Sequence, residues 1–253
     1  MFSANIGRFQ VRFAQSKADV AAAQALRFRC FRQGRTTPGL DQDEFDSRCQ
    51  HVLISKLGST TPVCCFRLLK LETAKDIATS YAAQFYDLAN FQKNAAPAVE
   101  MGRFCMLPGL ADPDVLRIAW GVLARYIDEN KVKTLFGCSS FAGTNAGDYD
   151  QAFALLNRKY LGDAHLRPQQ KAPEVIAFGP TQERFDLRRA TKNLPPLLRS
   201  YLAVGGWVSD HAVVDRDLDT MHVFTGLAID AIPPKRAEML RAVLDNPAAE
   251  QPT

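Results

Sequence analysis

Short apolar runs alternate along this chain with longer stretches of mixed periodicity, and the boundaries between them fall at glycine, proline and small polar residues. "RFQVRFA" (8–14) reads as a first strand. "SKADVAAAQALRFRCFRQG" (16–34) follows as a helix, with Ser16 as N-cap, Asp19 three residues on, and Gly34 as the stop. "HVLISKL" (51–57) and "VCCFRLLKL" (63–71) are joined by "GSTTP" and form a hairpin. "SYAAQFYDLANF" (80–91) is helical in part, and "AVEMGRFCML" (98–107) is the next strand. "ADPDVLRIAWGVLARYIDEN" (111–130) is the clearest helix. Asp112 suits its N-cap, Pro113 its first turn and Asp114 the positive end of its dipole. Apolar residues cover most of its circumference, so it packs deeply. "KTLFGCSSF" (133–141) is a strand, residues 142–194 are loop-rich and poorly periodic, "PPLLRSYLAVGG" (195–206) is a short helix, and "HVFTGLAID" (222–230) is a last strand.

This order predicts an α/β fold: a mixed sheet with helices on both faces, in a single domain over 1–245 with an insertion at about 142–194 and a disordered tail at 246–253. No GxGxxG follows the first strand, and "GCSSFAGT" lacks the lysine of a phosphate loop, so no nucleotide site is expected.

Composition narrows the class only modestly. The 253 residues carry a net charge of +4, which permits an acidic partner without requiring nucleic acid. No apolar run approaches the roughly 18 residues of a spanning helix, and the expected location is the cytoplasm. Six cysteines (30, 49, 64, 65, 105 and 138) form no CxxC pair and read as reduced core residues. Cys49 with His51 is half a zinc site, so no metal is expected.

The segment "EMGRFCML" (100–107) departs from a plain buried strand. It sets Glu100 and Arg103 three residues apart, on opposite faces of a regular strand, with Gly102 as the place for a bulge. Two readings of Glu100 stay open: a general base, or one half of a salt bridge with Arg67 or Arg103.

The element order, with Tyr201 four residues before Gly205 in "YLAVGGW", resembles the GNAT acyltransferase fold. Arg27 and Phe31 in "LRFRCF", Asp46 in "DEFDSRCQHVLI", Arg67 in "FRLL" and the Glu100–Arg103 pair resemble the series shared by acyl-homoserine lactone synthases and ornithine-lipid N-acyltransferases. "FYDL", "LFGCSSFAGT" and "PPLLRSYLAVGGWVSDHAVVD" look closer to the second group, and the resemblance covers most of residues 8–235. The coenzyme A pyrophosphate loop usual in GNAT enzymes is absent after "CMLPGLADPDV".

The resemblance implies transfer of a 3-hydroxyacyl group from acyl carrier protein to the α-amine of ornithine. The donor would be the carrier's phosphopantetheine arm, with no tightly bound cofactor. Glutamine as acceptor, a homoserine lactone synthase and a non-catalytic carrier-binding module are the alternatives. The two tryptophans, Trp120 and Trp207, stand late for a lactone synthase.

Within this scheme Arg103 orients Glu100 or meets the acceptor carboxylate, or simply stabilises the strand. Backbone N–H groups from Arg103 through Phe104 to Cys105 would receive the thioester oxygen, in a slot between the two central strands. Ser139 and Ser140 line that slot or form a turn. Tyr201 is the acid for the thiolate or a core residue. Cys105 as a nucleophile is weaker than Cys105 as a buried thiol, since no histidine is near it in sequence. Arg27, Phe31 and Asp46 close over the acceptor or dock a helix through one Arg–Asp pair. Arg184, Arg188 and Lys192 share one helical face, for carrier protein or transient contact with the membrane surface, or as a solvated face.

Overall fold

A computed structural model describes residues 2–32, 37, 39–110, 112–179 and 186–245. In chain order the elements are β1 (Ser3–Ile6), β2 (Phe9–Phe13), α1 (Lys17–Phe31), β3 (Gln50–Lys56), β4 (Pro62–Leu71), α2 (Ala74–Ile77), β5 (Tyr86–Asp87), α3 (Gln92–Ala95) and β6 (Ala98–Met106). They continue with α4 (Pro113–Asn130), β7 (Thr134–Ala142), α5 (Asp150–Lys159), β8 (Gln169–Gln170), β9 (Val175–Ala177), α6 (Leu187–Asn193), α7 (Pro196–Ala203), β10 (Trp207–Asp215), β11 (Thr220–Ala228) and α8 (Pro234–Asp245).

The chain divides into two compact units. One comprises the described residues of Met1–Leu69, Met101–Lys131 and Pro234–Thr253; the other comprises those of Lys70–Glu100 and Val132–Pro233. β6 is therefore divided, with Glu100 ending its part in the second unit and Met101 opening its part in the first.

In the first unit β1 to β4 pair antiparallel in sequence order. The β3–β4 hairpin is the one the sequence predicts. Beyond β6, the Leu107 N–H donates to Val63 O at 2.8 Å. α1 begins in the expected capping box: Ser16 Oγ accepts from the Asp19 N–H, and Asp19 accepts from the Ser16 N–H. It ends at Phe31, and Gly34 lies outside the described residues. Ala23 and Leu26 of α1 pack on Leu53, Cys65 and Cys105. α4 begins at the expected Asp112 cap and buries Val115, Ile118, Trp120, Leu123 and Ile127 among others. Gly121 is one of its buried positions because α8 crosses there; a Cβ would lie 2.8 Å from Val243 Cγ1.

In the second unit β7 lies between β6 and β11. Ala98–Glu100 of β6 run parallel to Thr134–Phe136, and β11 pairs antiparallel with β7 along its length. β10 and then β9 follow. The sheet is mixed, as the sequence predicts. Its core holds Phe91, Phe136, Trp207 and Phe224, whose rings meet at centroid distances of 5.0–6.1 Å. Trp207 lies against Gly162 and Gly226; a Cβ at either would come within 2.4 Å of its ring.

Several elements depart from the sequence expectation. Residues 142–194 are not only loop: α5 buries Ala152, Phe153, Leu155 and Leu156. Its apolar stripe spans barely two turns between polar flanks, too short for periodicity to register. β10 goes unpredicted because its register slips between Val208 and Ala212, which breaks the two-residue alternation. β1 is a mostly solvent-facing edge strand, and α8 carries mostly exposed residues, so neither has a strong apolar pattern. The tail at 246–253 lies outside the described residues. No helix among the described residues is long and apolar enough to cross a membrane.

Candidate active site

β6 is straight to Glu100 and then kinks. Its ladder with β7 ends at Glu100↔Phe136, and Arg103 adopts φ 52, the left-handed region that non-glycine residues rarely enter. The expected kink is present, displaced by one residue: Arg103 carries it, while Gly102 keeps an ordinary φ. Such strain persists only where surrounding contacts hold it, and here those contacts are made by the Arg103 side chain.

The Glu100 side chain is buried at 4% exposure. Its Oε2 accepts the Tyr81 N–H at 2.8 Å and its Oε1 accepts the Ala82 N–H at 2.7 Å. These amides open the 3-10 turn Ala82–Gln84, where no earlier carbonyl is in place to receive them. A carboxylate is an acceptor only, so paired N–H donors suit its ionised form. The segment "SYAAQ" thus supplies a backbone cradle for Glu100, a role its sequence does not announce.

Tyr201 lies in the same unit, 2% exposed. Burial pushes its phenol well above the ordinary value, and the charge of Glu100 acts in the same direction, so the hydroxyl keeps its proton at neutral pH. The Tyr201–Gly205 spacing has a local cause. α7 ends in a Schellman motif: the Gly206 N–H donates to Tyr201 O at 2.9 Å and the Gly205 N–H to Leu202 O at 3.3 Å. Gly205 takes φ 102 there, and a Cβ on Gly206 would fall 2.7 Å from Tyr201 O.

The first unit holds a buried network of arginines and aspartates. Arg27, 1% exposed on the inner face of α1, donates Nε to Asp41 Oδ2 at 2.9 Å and Nη1 to Asp46 Oδ1 at 2.6 Å. It also donates Nη2 to the Asp41 carbonyl at 2.5 Å. Arg67 of β4 meets Asp43 through both Nη atoms, at 2.5 and 2.7 Å, and Asp46 through Nη1 at 2.7 Å. Arg103 reaches Asp41 at 3.1 Å and Asp43 at 3.2 Å. Gln24 donates to Asp46, and His51 Nε2 donates to the Asp46 carbonyl at 3.0 Å.

Where one of the two sequence readings of Arg27 and Asp46 has a single docking Arg–Asp pair, the structure has a lattice of them. Asp41 and Asp43 go unpredicted; the acidic run "DQDEFD" ahead of β3 was the available signal. Burial alone would push the Asp46 carboxyl up, but Arg27, Gln24 and Arg67 outweigh it and hold it well below the ordinary value. Asp43 is held down in the same way, by Arg67 and then Arg103.

The sign of this shift fixes a pH dependence. A carboxylate whose folded pKa is depressed contributes stability that is fully present above its unfolded pKa of about 3.9 and fades as pH falls toward the folded one. Urea midpoints measured from neutral pH downward should hold steady to about pH 5 and fall below about pH 4. Asp46→Asn should lower the neutral-pH midpoint and flatten that acid limb; an unchanged limb would exclude Asp46 as a source of it.

The remaining expected residues fall as follows. Ser139 is buried within β7 and accepts from Thr225 Oγ1 at 2.9 Å; Ser140 is exposed beside it. Both lie in the β7–β11 ladder, which replaces the turn-forming alternative. Ser140, Tyr149, Lys192 and Pro195 are among the residues lining a surface cavity of about 540 Å³. The Phe104 ring lies 5.8 Å from Phe66, and Phe31 packs against the cluster containing Cys105. Hydrogen bonds with its thiol neighbours Cys30 and Cys65, and then burial, push Cys105 well above the ordinary value, opposite to what a nucleophile requires. Arg188 and Lys192 are exposed on α6 with Arg189; Arg184 lies outside the described residues.

Residues 26–121 match the acetyltransferase (GNAT) domain family. The chain is 29% identical to the L-ornithine N(alpha)-acyltransferase of Rhodobacter capsulatus over 248 residues, covering 91% of this chain and 93% of that protein. It is 28% identical to the enzyme of the same name from Brucella abortus over 244 residues, covering 90% and 86%. The solved structure of FeeM, an N-acyl amino acid synthase from uncultured soil microbes, aligns over 88% of this chain and 91% of its own with a TM-score of 0.47 and 11% identity. With its α/β mixed sheet and its match to the acetyltransferase (GNAT) domain over residues 26–121, this chain is similar along nine-tenths of its length to L-ornithine N(alpha)-acyltransferases.

Proposed function

We propose that the protein transfers a 3-hydroxyacyl group from acyl carrier protein to the α-amine of ornithine, giving the lyso form of ornithine lipid. The similarity to L-ornithine N(alpha)-acyltransferases over nine-tenths of the chain carries this reading. The donor is read from the absence of a pyrophosphate loop in the sequence, since a phosphopantetheine arm presents no pyrophosphate to bind.

The reaction requires a free amine, because an ammonium is not a nucleophile. Glu100 is the base, acting through a water, and its backbone cradle holds it in the ionised form. The amine nitrogen attacks the thioester carbon, and the developing oxyanion takes N–H donors from the kinked stretch of Arg103, Phe104 and Cys105. The tetrahedral species collapses by breaking the C–S bond, and the thiolate leaves. Tyr201 retains its proton well above the range in which a thiol ionises, so its contribution to departure is a hydrogen bond, while the proton from the amine passes back from Glu100 through solvent. Arg103 is a positioning residue in this scheme: the pull of Asp41 and Asp43 on its guanidinium holds the strand in its kink. Arg188 and Lys192 supply positive charge for an acidic carrier surface, and the amphiphilic product implies transient contact with the membrane surface.

The test is a mass-spectrometric assay of purified protein with 3-hydroxyacyl carrier protein and an equimolar mixture of ornithine, glutamine, lysine, glycine and S-adenosylmethionine. Acyl-ornithine is the expected product. Acyl-glutamine would replace the acceptor, a homoserine lactone would replace the reaction, and carrier binding without transfer would overturn the enzymatic reading.

A further inference from the structure

The "FYDL" stretch (85–88) takes no part in the chemistry above, yet three of its residues line a cavity of about 360 Å³ within the second unit. A cavity of this size suits a small molecule. Ala83, Tyr86 and Leu88 give it apolar wall, and Asp87 and Lys171 bring one charge of each sign to its lining. The short pairing of β5 with β8 sets these charges on neighbouring segments: Tyr86 lies opposite Gln170 and Asp87 opposite Gln169, with Lys171 the next residue along. The Tyr86 hydroxyl donates to His222 O at 2.8 Å, which fixes that wall. Both charges keep capacity for a ligand. Asp87 accepts the Ala89 N–H at 2.9 Å and has no ion-pair partner among the described residues. Lys171 Nζ donates to Ala83 O at 2.6 Å, which uses one of the three donors of an ammonium. The cavity also adjoins the base: the Tyr81 and Ala82 N–H groups hold Glu100, and the next residue is the lining Ala83.

We propose that this cavity binds the acyl acceptor, an α-amino acid with a cationic side chain, with Lys171 meeting its carboxylate and Asp87 its side-chain ammonium. The inference rests on the acyltransferase reading above and assigns the acceptor its binding residues. Both contacts are charge-assisted, and the apolar wall takes the methylenes between them. The α-amine is the third group of the acceptor, left for the water-mediated path to Glu100. An uncharged side chain, such as that of glutamine, leaves Asp87 facing no cation, so it is rejected by an unpaired carboxylate and not by its size. Arg103 is not needed for the acceptor carboxylate, since Asp41 and Asp43 already hold its guanidinium.

The experiment measures kcat/KM of the full chain for ornithine and for norvaline, which has the ornithine carbon chain without its terminal amine, at fixed acyl carrier protein donor. Asp87→Asn keeps an oxygen for the Ala89 N–H and loses only the charge. It should cut kcat/KM for ornithine by about 10-fold to 100-fold, through KM, and leave norvaline unchanged or improved. Lys171→Met should cut both amino acids alike, because both carry the carboxylate. A structural defect would not sort the two substrates in this way. Should Asp87→Asn fail to fold, Ala89→Phe, at an exposed position in the cavity wall, should raise KM for both. An Asp87→Asn enzyme that loses equally on both substrates or on neither, a Lys171→Met enzyme that matches wild type, or an Ala89→Phe enzyme with unchanged KM overturns the proposal while the acyltransferase reading stands. A wild-type chain that acylates no ornithine removes that reading, and this one with it.

Discussion

Glu100→Gln should lower kcat by about 100-fold to 10,000-fold, the range a positioned general base contributes, with little change in KM for the amino acid. The substitution keeps the shape of the side chain and one acceptor oxygen. It removes the charge and turns an NH2 group toward one of the two backbone N–H donors at Tyr81 and Ala82. That mismatch costs about 1–3 kcal/mol, so the variant should fold with a reduced melting temperature. Steady-state kinetics paired with a thermal melt separates the two contributions. A deep loss of kcat beside a modest loss of stability identifies Glu100 as the base. A loss of stability with kcat within a few-fold of wild type would make Glu100 only the cap of the Ala82–Gln84 turn, and the base would have to be sought elsewhere.

The largest expected effect on stability is at Arg27. Arg27→Met removes the guanidinium that spans Asp41 and Asp46, leaving the fully buried Asp41 to Arg103 and Arg32 and Asp46 to Arg67. Breaking one side of a buried ion pair typically costs about 3–5 kcal/mol. For a chain of this size that corresponds to a fall in Tm of roughly 2–4 °C per kcal/mol. Arg27→Lys should recover little, because one ammonium cannot span Asp41 Oδ2, the Asp41 carbonyl and Asp46 at once. Pairing Arg27→Met with Asp46→Asn should return part of the loss, since the second change removes one of the negative charges that Arg67 and Arg103 are then left to balance. If Arg27→Met melts within a degree or so of wild type, the network is not what holds the inner face of α1.

The fold was legible wherever local pattern and burial agree. α1 and α4 carry caps that the chain spells out at Ser16 and Asp112, and the β3–β4 hairpin is two apolar runs around a glycine–proline linker. The elements that went unread lack such agreement. β10 is bulged, α5 is under three turns, and β1 and α8 present most of their residues to solvent. The chemistry divides in the same way. Glu100, Arg103, Arg27, Asp46 and Arg67 could be picked out as charges in apolar surroundings or through a family resemblance, because burying a charge is costly and so conspicuous.

What the sequence determined by itself is therefore the α/β class, the principal helices and strands, and which charged side chains are out of place in a core. Whom those charges meet is settled by long-range packing. Arg103 turned out to hold Asp41 and Asp43, acids some sixty residues earlier, and Glu100 turned out to rest on two amides of a short turn. Backbone N–H groups are identical at every non-proline position, so no residue type marks the pair that will cradle a carboxylate. The partner of a buried charge is likewise chosen by strand order and helix docking across long separations, and local pattern carries no record of either.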